Sequence, residues 1–300
     1  MKKLFAMLLA ASMMMSLAAC GGNDEPAPAP APAEPSQSEP APAEPEEPAV
    51  STVADGKLTV ATSPDFAPYE FYAIAEDGTP TLAGFDVALA GYIADYMGLE
   101  LVMQPMDFDG VLMEVATGKV DLGMAGLSPD PDRMDAMDFS DIYYEGGQSF
   151  VTVTANKDMF KSLEDTNKAD ISVAAQIASI QMDLANEFSP DADIVPLPKV
   201  TDIIAELLAG KLDGAYIETA VAESYKVNYP ELEIVLDVPY ATEGSAIGVV
   251  KGNEGLLNAV NEAIAAALAD GSMDSFVAEA GELAAGTTGI LVDGEIVIDG

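Results

Sequence analysis

From about residue 57 onward, apolar positions along this chain follow two alternating rhythms. Short β-prone runs at 58–62, 71–74 and 99–103 are separated by segments punctuated with Pro, Gly and Asp, among them 63–69 and the Asp77-Gly78 turn. Between them Val87, Ala90, Ile93, Ala94 and Met97 recur at helical spacing, with Asp86 where an N-cap belongs and Gly98 where a helix stops. Strand, helix, strand alternation of this kind predicts an α/β domain built on a largely parallel sheet.

The pattern occurs twice. Ala116-Thr117-Gly118-Lys119-Val120-Asp121 is echoed in type by Leu208-Ala209-Gly210-Lys211-Leu212-Asp213. In each, Gly is the expected left-handed helix cap, Lys complements the negative end of the helix dipole, and an apolar strand follows, at 122–125 or 214–217. Two similar α/β lobes are therefore expected. Open α/β sheets bind ligands beyond the carboxyl ends of their strands, which points to 126–133 in one lobe and 218–219 in the other, facing a single cleft. The second lobe is expected over residues 149–244, opening with a strand at 150–154. The first takes residues 56–148 and 245–282, the latter part holding a strand at 246–250, a helix at 256–269 broken by Asp270-Gly271, and a returning helix at 273–280. Residues 283–300 form a C-terminal extension in which 290–298, around Asp293-Gly294, reads as a hairpin.

Upstream of residue 56 both rhythms disappear. Lys2 and Lys3 precede an apolar stretch at 4–15, and small residues lead to Cys20, the chain's only cysteine. This reads as a secretory signal peptide over residues 1–20, its apolar stretch too short to span a bilayer. Residues 21–55 are mostly Pro, Ala and Glu, which cannot bury a core. They read as a disordered tether that, at about 3.1 Å per residue, could reach on the order of 90 Å.

Composition narrows the chemistry. A formal charge of −39, from 12 basic and 51 acidic residues, would repel phosphate backbones and anionic lipid, so no nucleic-acid partner is expected. There is no His, and the single Cys cannot form an intramolecular disulfide, so imidazole bases and His metal sites are excluded. No Asp-rich loop has calcium-ligand spacing, and neither metal nor cofactor is expected.

The sole arginine, Arg133, sits in the loop Ser128-Pro129-Asp130-Pro131-Asp132-Arg133 after an apolar strand. Its guanidinium fork matches a carboxylate; the alternative is a salt bridge to Asp130, Asp132 or Asp135. Glu218 follows the second lobe's strand, where it would face Arg133 across the cleft and pair with an ammonium, unless it is simply a solvated strand-end acid. Phe66 and Phe108 lie in loops, where they would sandwich aliphatic ligand atoms or pack into the core.

Taken in order and spacing, Phe66-Ala67-Pro68-Tyr69-Glu70-Phe71, Gly84-Phe85-Asp86-Val87, Met106-Asp107-Phe108-Asp109-Gly110 and Asp138-Phe139-Ser140-Asp141 with Tyr143-Tyr144 resemble the solute-binding proteins of polar amino acid ABC transporters. The resemblance covers residues 57–282. It implies a two-lobed type II periplasmic-binding-protein-like α/β fold, with a hinge between the lobes and the ligand in the cleft. It also implies that Arg133 grips an α-carboxylate with help from Ser128, and that the Gly126 carbonyl accepts from an α-ammonium. Glu218 stands where the family usually has Asp, and the aromatic clamp falls on Phe66 and Phe108. The stretch from Val173 to Gln181 resembles a loop often ending Gly-Thr-Thr-Gln; with Ile180 lacking a hydroxyl, Ser179 and backbone N–H groups would serve, and Gln176 would contact the ligand side chain. The acid that selects cationic ligands would fall on Ser63, which is neutral, so a neutral amino acid is favoured.

Leu17-Ala18-Ala19-Cys20 resembles the bacterial lipobox, implying lipidation of Cys20 after export and anchoring to the outer face of the cytoplasmic membrane. The expected protein is a monomer that hands its ligand to ABC permease subunits and is not an enzyme. The alternatives are a ligand-sensing surface lipoprotein without transport, or a dehydratase on the same fold.

Overall fold

The computed structural model describes residues 49–241, 244–286, 288–292 and 295–299. The signal peptide, Cys20, the tether up to residue 48 and the Asp293-Gly294 turn lie outside the described residues. Those described fall in one compact unit, Glu47–Gly300.

In chain order the elements are β1 (Lys57–Thr62), β2 (Phe71–Ile74), β3 (Pro80–Ala83), α1 (Phe85–Met97), β4 (Glu100–Pro105), α2 (Phe108–Ala116), β5 (Leu122–Gly123), β6 (Met137–Phe139) and β7 (Gln148–Val153). They continue with β8 (Ser172–Gln176), α3 (Ile180–Phe188), β9 (Asp193–Leu197), α4 (Val200–Leu208), β10 (Gly214–Glu218), α5 (Thr219–Asn228) and β11 (Leu232–Asp237). Last come β12 (Gly248–Val250), α6 (Glu254–Asp270), α7 (Ser272–Ala284), β13 (Thr288–Val292) and β14 (Glu295–Asp299).

Lobe 1 is built on the sheet β4-β1-β5-β12-β6 and lobe 2 on β11-β7-β10-β8-β9. Both sheets are largely parallel, as expected, with one strand of the five in each reversed. Strands β4-β1-β5 and β10-β8-β9 run parallel, but β12 is antiparallel to β5 and β6, and β7 to β10 and β11. The reason is topological. β7 and β12 are the strands that the chain enters directly from the other lobe, with no crossover helix to return it to the same end of the sheet.

The internal repeat extends to individual hydrogen bonds. Gly118 and Gly210 are left-handed, with φ of 66° and 70°. Lys119 N and Lys211 N each donate to a glutamate carbonyl, Glu114 and Glu206, at 3.0 Å. Their ammonium groups pair with the same two carboxylates at 2.7 and 2.6 Å. The aspartates that follow do equivalent work: Asp121 accepts from Thr59 N at 2.7 Å and Asp213 from Ser172 N at 2.9 Å. Each aspartate thus fixes the start of the strand, β1 or β8, whose far end carries a cleft loop.

One cap differs from expectation. Helix α1 starts at Phe85 with Gly84 as its N-cap, and Asp86 is instead buried one position into the helix. Its Oδ2 accepts from Gly126 N at 3.1 Å and its Oδ1 from the Tyr143 hydroxyl at 2.7 Å. Tertiary partners therefore override the capping preference, and Asp86 anchors the loop that carries Gly126.

Helix α7 returns to lobe 1, where Phe276 lies edge-on to Tyr92 of α1 with ring centroids 6.2 Å apart. The extension beyond it pairs β13 with β2, Thr288 opposite Ala73 and Gly289 opposite Tyr72, giving the third sheet β14-β13-β2-β3. At the other end, the last residues read as tether are held on lobe 1: Val53 N donates to Asp121 at 2.7 Å, and Asn253 Nδ2 to Ser51 O at 2.7 Å.

Candidate functional site

Four loops meet between the lobes, each leaving the carboxyl end of a strand in a parallel pair. They follow β1 (63–69) and β5 (126–133) in lobe 1, and β8 (177–179) and β10 (Glu218 onward) in lobe 2. Hydrogen bonds across the gap hold the lobes together. Arg133 donates to Ala178 O at 3.0 Å, Gln176 to Asp65 at 3.1 Å and the Tyr225 hydroxyl to Asp65 O at 3.2 Å.

Arg133 forms one pole. Its guanidinium donates to the carbonyls of Ser128 (3.3 Å) and Ala178 (3.0 Å) and sits over the Phe108 ring, 5.8 Å from the centroid. Among the described residues it joins no ion pair, so the salt bridge to Asp130, Asp132 or Asp135 is not made. Burial lowers its pKa, opposed by the more distant charges of Asp130 and Asp183. A guanidinium held by two carbonyls and an aromatic face keeps its charge unneutralised, which suits it to an incoming anion.

The loop opposite is strained. Ala178 has φ 63°, the only positive φ outside glycine among the described residues, where the resemblance leads one to expect Gly. This conformation aims its carbonyl at Arg133. Ser179, buried, caps α3 by accepting from Met182 N at 3.2 Å and donates to Gln176 O at 2.7 Å. Ile180 opens the helix and is buried. Ala178→Gly should stabilise the ligand-free protein by about 1 kcal/mol, raising the melting temperature by roughly 2–4 °C in a thermal unfolding experiment.

Glu218 forms the second pole. It is 3% exposed, and its Oε2 accepts from Val221 N at 2.9 Å as the N-cap of α5, while Oε1 accepts from Gly147 N at 3.3 Å. The Tyr69 hydroxyl of lobe 1 also favours its ionised form. Burial outweighs these donors and pushes its pKa up to about 7. Glu218 stands beside Gly146 with the Tyr69 hydroxyl close by and makes no ion pair with Arg133, and between the poles lie Tyr69, Phe66 and Gly126. The Phe66 and Tyr69 rings are 5.3 Å apart, and a side chain on Gly126 (φ 56°) would stand 2.7 Å from Phe66 Cε1. Phe66 and Phe108 are both 8% exposed, so each is largely packed.

At a third corner, Ser63 Oγ donates to Asp65 Oδ1 at 2.8 Å and Gln176 Nε2 to Asp65 Oδ2 at 3.1 Å. Asp65 is the residue that sequence reasoning passed over, although it stands beside Phe66 in the same loop. Tyr69 was equally legible in that loop, but its reach to Glu218 was not.

A family model for bacterial extracellular solute-binding proteins, family 3, matches residues 58–280. The chain belongs to this family. Among its relatives, the arginine-binding extracellular protein ArtP of Bacillus subtilis is 30% identical over 269 residues, 88% of this chain and 92% of that protein. The structure of the amino acid ABC transporter substrate-binding protein AbpA of Streptococcus pneumoniae bound to L-arginine is 32% identical, with a TM-score of 0.73, and covers 76% of this chain and 96% of that one. The cyclohexadienyl dehydratase of Pseudomonas aeruginosa is also similar, 27% identical over 177 residues, 59% of this chain and 65% of that enzyme. A solute-binding protein of amino acid ABC transport systems, with its two-lobed α/β fold, is thus established for this chain at the family level.

Proposed function

We propose that this solute-binding protein closes on a free amino acid, anchors it by both α-groups, and delivers it to an ABC permease as a lipid-anchored monomer held at the membrane through Cys20. The observation that carries the reading is the pair of opposite poles contributed by different lobes, the half-buried Arg133 for a carboxylate and the buried Glu218 for an ammonium. Phe66, Ser128, Gly126 and Phe108 complete the lobe 1 wall, with Ser179, Ile180 and Gln176 opposite.

A neutral side chain fits best. The carboxylate nearest Ser63, that of Asp65, already accepts from Ser63, Gln176 and the backbone of Val200. Arginine is the second reading, because ArtP is an arginine-binding protein and AbpA was solved with L-arginine bound, although an ancestral arginine-binding protein of 31% identity and TM-score 0.66 has been solved bound to glutamine. Thermal unfolding of protein stripped of ligand by unfolding and refolding, scanned against all common amino acids, tests the reading. A selective upward shift supports it and names the ligand; no shift with any amino acid sinks it. Mass spectrometry returning the ligand unchanged argues against a dehydratase, the reading that Glu218 and the Pseudomonas relative together keep open.

Proton linkage follows from Glu218. Its pKa is about 7 in the fold against an ordinary 4.5, so in the ligand-free protein its contribution to stability is full below about 4.5 and is lost as pH rises through about 7. An ammonium pairing with the ionised form reverses that balance. Binding at pH 6 should therefore release about one proton, and affinity should rise with pH and level off above about 7. Calorimetry in two buffers of different ionisation enthalpy reads the proton directly, and Glu218→Gln should abolish it.

A further inference from the structure

Helix α4 begins without a cap of its own. Its N-cap residue is Lys199, whose side chain makes no capping hydrogen bond and whose positive charge opposes the positive end of the helix dipole. The N–H of Val200, the first helical residue, donates instead to Asp65 Oδ2 in the other lobe, 2.7 Å away. Asp65 is 7% exposed; the same oxygen takes Gln176 Nε2 at 3.1 Å, Oδ1 takes Ser63 Oγ at 2.8 Å, and its backbone carbonyl takes the Tyr225 hydroxyl at 3.2 Å. Ser63 and Asp65 belong to lobe 1, whereas Gln176, Val200 and Tyr225 belong to lobe 2. Beside them Asp107 of lobe 1 faces Lys199 at 3.6 Å.

We propose that Asp65 is the positioning residue for cleft closure: it is the N-cap that α4 lacks, supplied from the opposite lobe only when the lobes meet. The proposal deepens the receptor reading and rests on it. With the lobes apart, the Val200 N–H, the Gln176 amide and the Asp65 carboxylate are each hydrated; closure exchanges that water for one another. A charge-assisted bond gains strength as the interface dries, so this contact lengthens the life of the closed form whatever side chain the ligand carries. Asp65 thereby acts through the movement of lobe 2 rather than on the α-groups that Arg133 and Glu218 hold.

The partner can be removed without touching Asp65. Proline is well tolerated at the first position of a helix, and Lys199 has φ −128° and ψ 142°, the extended conformation that precedes proline. Val200→Pro therefore deletes the donor and spares the helix. In the full chain carrying Cys20→Ser, spin labels at Asp109→Cys on α2 and Ala205→Cys on α4 report the distance between the lobes by pulsed electron paramagnetic resonance. Asp65→Ala and Val200→Pro should each shrink the short-distance population and speed ligand release about tenfold with little change in the association rate. The double variant should be no worse than Asp65→Ala alone, since that change already removes the acceptor of the bond that Val200→Pro deletes. Unchanged distance distributions, effects that multiply in the double variant, or ligand-free unfolding of Asp65→Ala would each overturn the proposal, the last by making Asp65 a structural part of lobe 1. If the unaltered protein closes on no amino acid, the receptor reading fails separately, and the latch is still judged from the ligand-free distributions.

Discussion

Arg133→Ala should weaken amino acid binding at least a hundredfold while leaving the melting temperature of the ligand-free protein within a few degrees. The guanidinium is oriented by the carbonyls of Ser128 and Ala178 and by the Phe108 face, and pairs with no acid among the described residues. Its removal therefore orphans no buried carboxylate and costs the ligand-free fold little. A bound α-carboxylate, by contrast, would lose its bidentate partner inside a desolvated cleft, a loss of about 2–5 kcal/mol. Arg133→Lys restores the charge without the fork and should recover only part of the affinity. Calorimetry for binding and thermal unfolding for stability separate the two effects; equal losses in both would show that Arg133 is holding the fold.

The reverse pattern is expected at Gly84, where the effect on folding should be the larger. Gly84 has φ 122°, and a side chain there would place Cβ 2.0 Å from Tyr69 O and 2.8 Å from Glu70 Cα. The obstructing backbone cannot retreat, because Asp86 N and Phe85 N donate to Tyr69 O and Pro68 O at 2.9 and 3.1 Å. Gly84→Ala should destabilise the protein by more than about 3 kcal/mol, a fall of roughly 6–12 °C in melting temperature. Any folded fraction should bind weakly, since the displaced segment carries Phe66 and Tyr69 into the site. Gly78→Ala is the control: φ is 83° but nothing lies within 4 Å, so the loss should be about 1 kcal/mol. Chemical denaturation of both variants measures the difference.

How far the sequence could carry this account depended on the range of each interaction. Local rules placed α1, the caps at Gly98, Gly118 and Gly210, and the paired motifs ending in Asp121 and Asp213, because glycine conformation and helix dipoles act within a turn or two. Alternating elements and the repeat led to two α/β lobes, but strand direction in β7 and β12 depended on where the chain crosses between lobes, which no local pattern encodes. Asp86 was read as a cap on the strength of its type, whereas Gly126 and Tyr143, 40 and 57 residues away in sequence, decide its role. Arg133 was legible because it is the one arginine in the chain. Asp65 was not, since one acid among 51 acidic residues carries no signal until α4 is seen to begin beside it. Ser63 was singled out in its place, and its hydroxyl in fact supports Asp65.

The measurement that bears most directly on the central claim is a calorimetric titration of the ligand-stripped protein with the amino acid that shifts its melting temperature, followed by the amine left when that amino acid loses its α-carboxylate. Because Arg133 and Glu218 are read as holding the two α-groups from opposite lobes, the account predicts clear saturable binding of the amino acid and at least a hundredfold weaker binding of the amine. Equal affinity for both would contradict it, leaving the side chain rather than the zwitterion as the feature recognised.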